Sequence, residues 1–117
     1  DQNSGNKNRS ILKTAVDFID SHYMEEDMSL NKAANAANVS ANHFSALFSQ
    51  NMGQTFIEYL TNLRMNKAKE YLRCTSMRSS EIAGEIGYKD AHYFSYLFKK
   101  TQGMTPSDYR KAREDKA

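Results

Sequence analysis

Apolar residues recur at helical spacing in nearly every segment of this chain, and no segment keeps the period-two alternation of a half-buried strand. Ile11, Leu12, Ala15, Phe18, Ile19 and Tyr23 form one stripe and predict a first helix ending near Met24, at the EED run. Ser10 either caps that helix or lies just inside it. Ahead of it, Asp1 to Asn8 holds no apolar residue and reads as a tail or linker end. Ser29 caps a short second helix, Leu30 to Ala37. Ser40 caps a third, which runs to about Asn51 and stops at Gly53. Thr55 opens a long fourth helix with an apolar face of Phe56 or Ile57, Leu60, Leu63, Ala68, Tyr71 and Leu72. Ser79 or Ser80 starts a fifth helix ending at Gly87, and Asp90 caps a sixth that reaches about Gln102, before Gly103. Thr105-Pro106 begins a seventh, with proline at the first helical position, where its missing N–H costs little. The expected fold is an all-α domain of about seven helices.

The chain also repeats itself. Residues 43–59 (HFSALFSQNMGQTFIEY) and 93–109 (YFSYLFKKTQGMTPSDY) share 7 of 17 positions without a gap at an offset of 50. Upstream the offset is 49, matching Ala34 with Ala83, Asn38 with Gly87 and Val39 with Tyr88, so the second copy has one extra residue in its turn. Each copy has the logic of a helix-turn-helix, two short helices packed steeply around a tight turn. Ala34 and Ala83 let the helices approach. Asn38 and Gly87 tolerate positive φ in the turn, and Val39 and Tyr88 plug the elbow. Phe44, Leu47 and Phe48, like Phe94, Leu97 and Phe98, face the core. Ala41, Asn42, Ser45, Ala46 and Ser49 in the first copy, and Ala91, His92, Ser95, Tyr96 and Lys99 in the second, are left pointing outward. The second helix of such a unit enters the DNA major groove.

On these residues the chain resembles the DNA-binding domain of the AraC/XylS transcriptional regulators over roughly residues 10–112. The most specific part is IAGEIGY (82–88), HYFSYLFKK (92–100), Gly103, Thr105-Pro106 and Tyr109-Arg110. The resemblance implies two homeodomain-like helix-turn-helix subdomains in tandem, joined by a long linker helix. Residues 1–9 are then a linker remnant or tail, 10–53 the first subdomain, 54–74 the linker helix, 75–112 the second subdomain and 113–117 a tail. It further implies recognition helices at about 40–51 and 90–101, reading successive major grooves roughly 34 Å apart. Carried over, the DNA-facing residues are Asn42, Ser45, Ala46 and Ser49, and Ala91, His92, Ser95, Tyr96 and Lys99, with Lys100 beside Lys99 for phosphates.

Charge and composition bound this reading. The 117 residues carry a net charge of +2, but residues 1–27 hold three bases against six acids and residues 28–117 thirteen against eight, so the basic excess of +5 is C-terminal. The first recognition helix has no Lys, Arg, Asp or Glu, which removes the commonest guanine contact. Asn42 could read adenine and Ala46 a thymine methyl; alternatively that helix only packs on the groove or phosphates. So weakly basic a domain is expected to bind DNA modestly alone and tightly as a dimer of the full-length protein. One cysteine, Cys74, excludes an internal disulfide framework and suits a reducing compartment, and no apolar run approaches a membrane span; the expected location is cytoplasmic.

The remaining candidates have plain structural readings. His22, His43 and His92 lie on three helices without a second ligand at i+3 or i+4, so no metal site is expected. His43 is expected to be half-buried beside Phe44, and Asp90 to cap its helix. Arg64 either contacts phosphate or pairs internally with a carboxylate such as Glu58 or Glu81, the internal role being favoured, and Arg110 has the same choice. Cys74 is expected to follow the linker helix. No Gly-rich phosphate loop or nucleophile–base spacing suggests an enzyme, and no cofactor is expected. The competing reading is a helical protein-interaction module. The chain begins at Asp1, not Met, and reads as a piece of a longer protein. The resemblance implies an N-terminal regulatory domain, with the receiver-linked subgroup nearest in its EED exit and YLTNLRMNKAKEYL, and implies RNA polymerase as a partner and activation as the outcome.

Overall fold

The computed structural model describes residues 2–116, and within them the side chains of residues 7–114. Asp1 and Ala117, the outer ends of the two expected tails, lie outside the described residues. Seven helices and no strand are present among the described residues: α1 (Gln2–His22), α2 (Leu30–Ala36), α3 (Ala41–Met52), α4 (Phe56–Cys74), α5 (Ser79–Glu85), α6 (Ala91–Gln102) and α7 (Pro106–Lys116). Most boundaries follow the expected caps. Ser29 and Ser40 accept the N–H groups of Lys32 and His43, and Thr55 and Glu58 exchange side-chain and backbone bonds across the first turn of α4.

Three ends differ. α1 begins at Gln2, so Ser10 lies inside the helix and the polar stretch is helical. It contains no proline, and a helix seeded by the Ile11 stripe propagates at one bond per added residue. α7 likewise runs through Lys116. Cys74 is the exposed last residue of α4, at the end of the 54–74 span rather than after the helix.

The chain divides into two compact units. The first comprises residues up to Tyr23 and Asp27–Asn62, the second Met24–Glu26 and residues from Leu63 on. In the first, α1, α2 and α3 pack together over Ala15, Ile19, Ala33, Ala34, Phe44, Leu47 and Phe48, joined by Phe56 and Leu60 from α4. The choice between Phe56 and Ile57 is decided for Phe56; Ile57 is 62% exposed. Phe48 meets Phe44, Phe56 and Tyr59 with ring centroids 5.5–6.4 Å apart, the edge-on range that aromatic quadrupoles favour.

The Tyr59 hydroxyl donates to Asp20 at 2.8 Å, and burial, then this bond and the carboxylate's charge, push the phenol up to about 12 from 10.0. A raised folded-state value means stability that is present below pH 10 and lost as pH climbs toward 12. Tyr59→Phe should therefore lose less stability than the parent chain across that window, measured by urea denaturation at stepped pH. Identical pH slopes would sink this assignment.

In the second unit, α5, α6, α7 and the C-terminal part of α4 enclose Met65, Ala68, Leu72, Ile82, Ala83, Ile86, Phe94 and Phe98. Met65 completes the apolar face of α4, a position the sequence pattern left out. Arg110 takes the internal role: its guanidinium donates to the carbonyls of Leu72 and Thr75, both at 3.1 Å, and so satisfies the end of α4. Arg73 donates to the Tyr109 hydroxyl at 3.3 Å. Burial raises that phenol, but Arg113 and Arg73 outweigh it and hold the group below its ordinary value.

Candidate nucleic-acid interface

Each unit contains one helix-turn-helix, α2–α3 in the first and α5–α6 in the second, and their turns close with equivalent backbone bonds. α2 and α5 have seven residues each, α3 and α6 twelve. After α2 the N–H groups of Asn38 and Val39 return to the carbonyls of Asn35 and Ala34; after α5 those of Gly87 and Tyr88 return to Gly84 and Ala83. This is the Schellman arrangement, and it requires the residue past the helix end to be left-handed. Asn38 sits at φ 63 and Gly87 at φ 106. Asn38 is the single non-glycine at positive φ among the described residues, a role its short amide side chain tolerates. Ser40 and Asp90 then cap the second helices, with Asp90 accepting the His92 N–H at 2.8 Å. The extra residue of the second turn is Lys89, exposed between Tyr88 and the cap.

The buried positions of α3 are Phe44, Leu47 and Phe48; those of α6 are Phe94 and Phe98, with Leu97 half-buried. The opposite faces carry the expected residues. Asn42, Ser45 and Ala46 are exposed on α3, and Ser49 is half-buried. His92, Tyr96, Lys99 and Lys100 are exposed on α6, and Ser95 is half-buried. Tyr96, 60% exposed, lies beneath the Lys100 ammonium at 5.9 Å. Ala91 departs from the outward reading: it is half-buried and packs on the core of the second unit.

Two residues were placed wrongly or overlooked from sequence. His43 is exposed, not half-buried, because it shares a helical strip with Ala46 and Gln50, three and seven residues on, and both are exposed. Tyr93, absent from the expected outward set, is 50% exposed and meets Tyr88 edge-on at 5.8 Å; its position one step before the buried Phe94 is the signal that places it outward.

Charge divides the two faces. α3 carries no Lys, Arg, Asp or Glu, whereas the second unit presents Lys89, Lys99 and Lys100 as exposed cations. Arg64 takes no part in this face. It is 6% exposed, its Nη2 donates to the Glu25 carbonyl at 2.8 Å, and its Cζ lies 4.9 Å from the centre of the Tyr88 ring. The internal role holds, with a carbonyl and a ring among the partners; the carboxylates of Glu58 and Glu81 close the first turns of α4 and α5. Among the described residues no group of three or more His, Cys, Asp or Glu could hold a metal, and no helix is long and apolar enough to cross a membrane.

Residues 33–112 match a helix-turn-helix domain family. The chain is 36% identical over 99 residues to the lactose operon transcription activator of Staphylococcus xylosus, covering 85% of this chain and 35% of that protein. Among solved structures, the C-terminal domain of AraT, a response regulator from Geobacillus stearothermophilus, superposes with a TM-score of 0.86 at 40% identity, covering 88% of this chain and 85% of that one. The DNA-binding domain of AdpA, solved with a target DNA, has the same fold at a TM-score of 0.84 and 21% identity, covering 92% and 95%. The chain spans 12–38% of the length of the curated relatives it matches first, all of them transcription regulators.

Proposed function

The chain belongs to the AraC-type helix-turn-helix family of DNA-binding transcription regulators, and from that premise we propose that it reads double-stranded DNA with α3 and α6, each in a major groove. The observation that carries this reading is the matched pair of second helices, each buried on a phenylalanine face and each presenting a short polar face outward. Asn42, Ser45, Ala46 and Ser49 serve one groove; His92, Ser95 and Tyr96, with Ala91 at the margin, serve the next, and Lys99 and Lys100 hold phosphates. Two different helices read two different half-sites about one turn apart, so the site within one chain's footprint need not be palindromic.

The rest of the protein supplies regulation. The likeness to AraT favours a receiver domain ahead of this chain, and the likeness to a lactose operon activator favours activation, with RNA polymerase as the partner at the promoter. Dimerisation through that N-terminal region raises the effective concentration of a second copy and tightens a weakly basic domain on its operator, in the cytoplasm.

Selection of bound duplexes from a random library tests the proposal. Two short motifs separated by about one turn support it. A single motif, lost on changing α6 alone, would mean that the uncharged α3 reads no bases. Absence of any duplex with salt-dependent affinity would leave the protein-interaction reading. On a selected duplex, Lys99→Ala should weaken binding evenly across sequences and reduce the salt slope by about one, whereas His92→Ala should relax preference at one position, by roughly tenfold, with the slope unchanged. Fluorescence anisotropy at several salt concentrations distinguishes the two.

A further inference from the structure

The two elbows are equivalent in their backbone bonds but not in what stands behind them. Asn38 is exposed, whereas Gly87 is buried. A Cβ built on Gly87 would lie 2.7 Å from Arg64 Nη2 and 2.9 Å from its Cζ, so the guanidinium is seated directly on the glycine's α-carbon. The same planar group stacks over Tyr88 and donates to the Glu25 carbonyl, in the stretch between α1 and α2 that belongs to the second unit. Tyr88 in turn touches the first turn of α6, with its ring 6.1 Å from Phe94 and 5.8 Å from Tyr93. The chain of contacts runs from Arg64 through Tyr88 to the helix that carries His92 and Tyr96.

We propose that Arg64 is a positioning residue for α6: by bracing Gly87 and Tyr88 it sets the angle at which the second recognition helix meets its base pairs, without touching DNA. The geometry needs arginine. A lysine ammonium could reach one acceptor but lacks the flat face that covers both the ring and the glycine. The inference rests on the reading of α6 as a DNA-reading helix, and it predicts an effect on one half-site only, because the α3 elbow has a different neighbourhood.

The test uses the whole chain with Arg64→Lys, and Arg64→Ala where it folds, on selected duplexes carrying substitutions in either half-site. Discrimination between bases in the α6 half should fall roughly tenfold, while discrimination in the α3 half stays as in the parent. Equal loss in both halves, or no loss in either, overturns the proposal. Amide hydrogen exchange supplies a second arm that needs no DNA. In Arg64→Lys, exchange should quicken by about tenfold at the second elbow and first turn of α6 (88–94), with the matching stretch around α3 (39–44) unchanged. Uniform change, or none, overturns it here too. If the parent chain binds no duplex, the DNA reading fails while this arm still decides whether Arg64 holds the elbow.

Discussion

Phe98→Ala should cost about 3–5 kcal/mol of folding free energy, the usual range for deleting a fully buried phenylalanine. Phe98 is wholly buried, with Phe94 5.9 Å away on its own helix and Tyr109 of α7 5.8 Å away, both in edge-on contact. Removing the ring leaves a cavity walled by two other aromatics, whose rigidity limits collapse. A domain of this size has about 5–15 kcal/mol in total, so the change should consume a large share of it. Phe48, the equivalent residue in the repeat, is equally buried among Phe44, Phe56 and Tyr59, and Phe48→Ala should lose a comparable amount. Urea titration followed by circular dichroism measures both. A loss below 1 kcal/mol for Phe98→Ala would show that the ring does not hold α6 and α7 together.

Gly87→Ala should be nearly as damaging, for two separable reasons. At φ 106 an L side chain is strained by roughly 1–2 kcal/mol, and the new Cβ must displace a guanidinium that packing has fixed, which adds about 1–3 kcal/mol. Asn38→Ala, at φ 63 and exposed, adds no new Cβ and gives up only asparagine's better tolerance of that region, so it should lose less than about 1 kcal/mol. The steric part is recognisable because it depends on Arg64. In an Arg64→Ala background, Gly87→Ala should become milder, leaving a coupling of about 0.5–3 kcal/mol in a double-mutant cycle. Strict additivity would mean that backbone strain alone makes glycine necessary.

These two positions illustrate different kinds of legibility. Gly87 is identifiable from sequence as a turn residue because it lies just past a short helical pattern and aligns with Asn38 in the repeat. Its contact with Arg64 is not, because the guanidinium comes from the middle of a helix 23 positions earlier and bears no periodic relation to the turn. The same split runs through the candidate interface. The outward placement of Asn42, Ala46, His92 and Tyr96 follows from helical period alone. Ala91, a small residue at the start of α6, lies close enough to the core that nothing in the pattern separates inward from outward, and packing draws it in.

Legible in the residue order are the features local bonds decide, namely seven helices, the caps at Ser29, Ser40, Thr55, Asp90 and Thr105 and the left-handed turns at Asn38, Gly53, Gly87 and Gly103, together with the duplication. The caps and turns rest on hydrogen bonds or steric limits spanning no more than five residues, so neighbouring residues carry their cause, and the duplication is read by aligning the chain with itself. Tertiary structure alone decided that Phe56 rather than Ile57 is buried, that Met24–Glu26 belong to the second unit, and that Arg64 and Arg110 serve backbone carbonyls 38 or 39 residues away. A buried guanidinium takes whichever acceptor the assembled surfaces bring within hydrogen-bond distance, and that meeting exists only once the helices have packed.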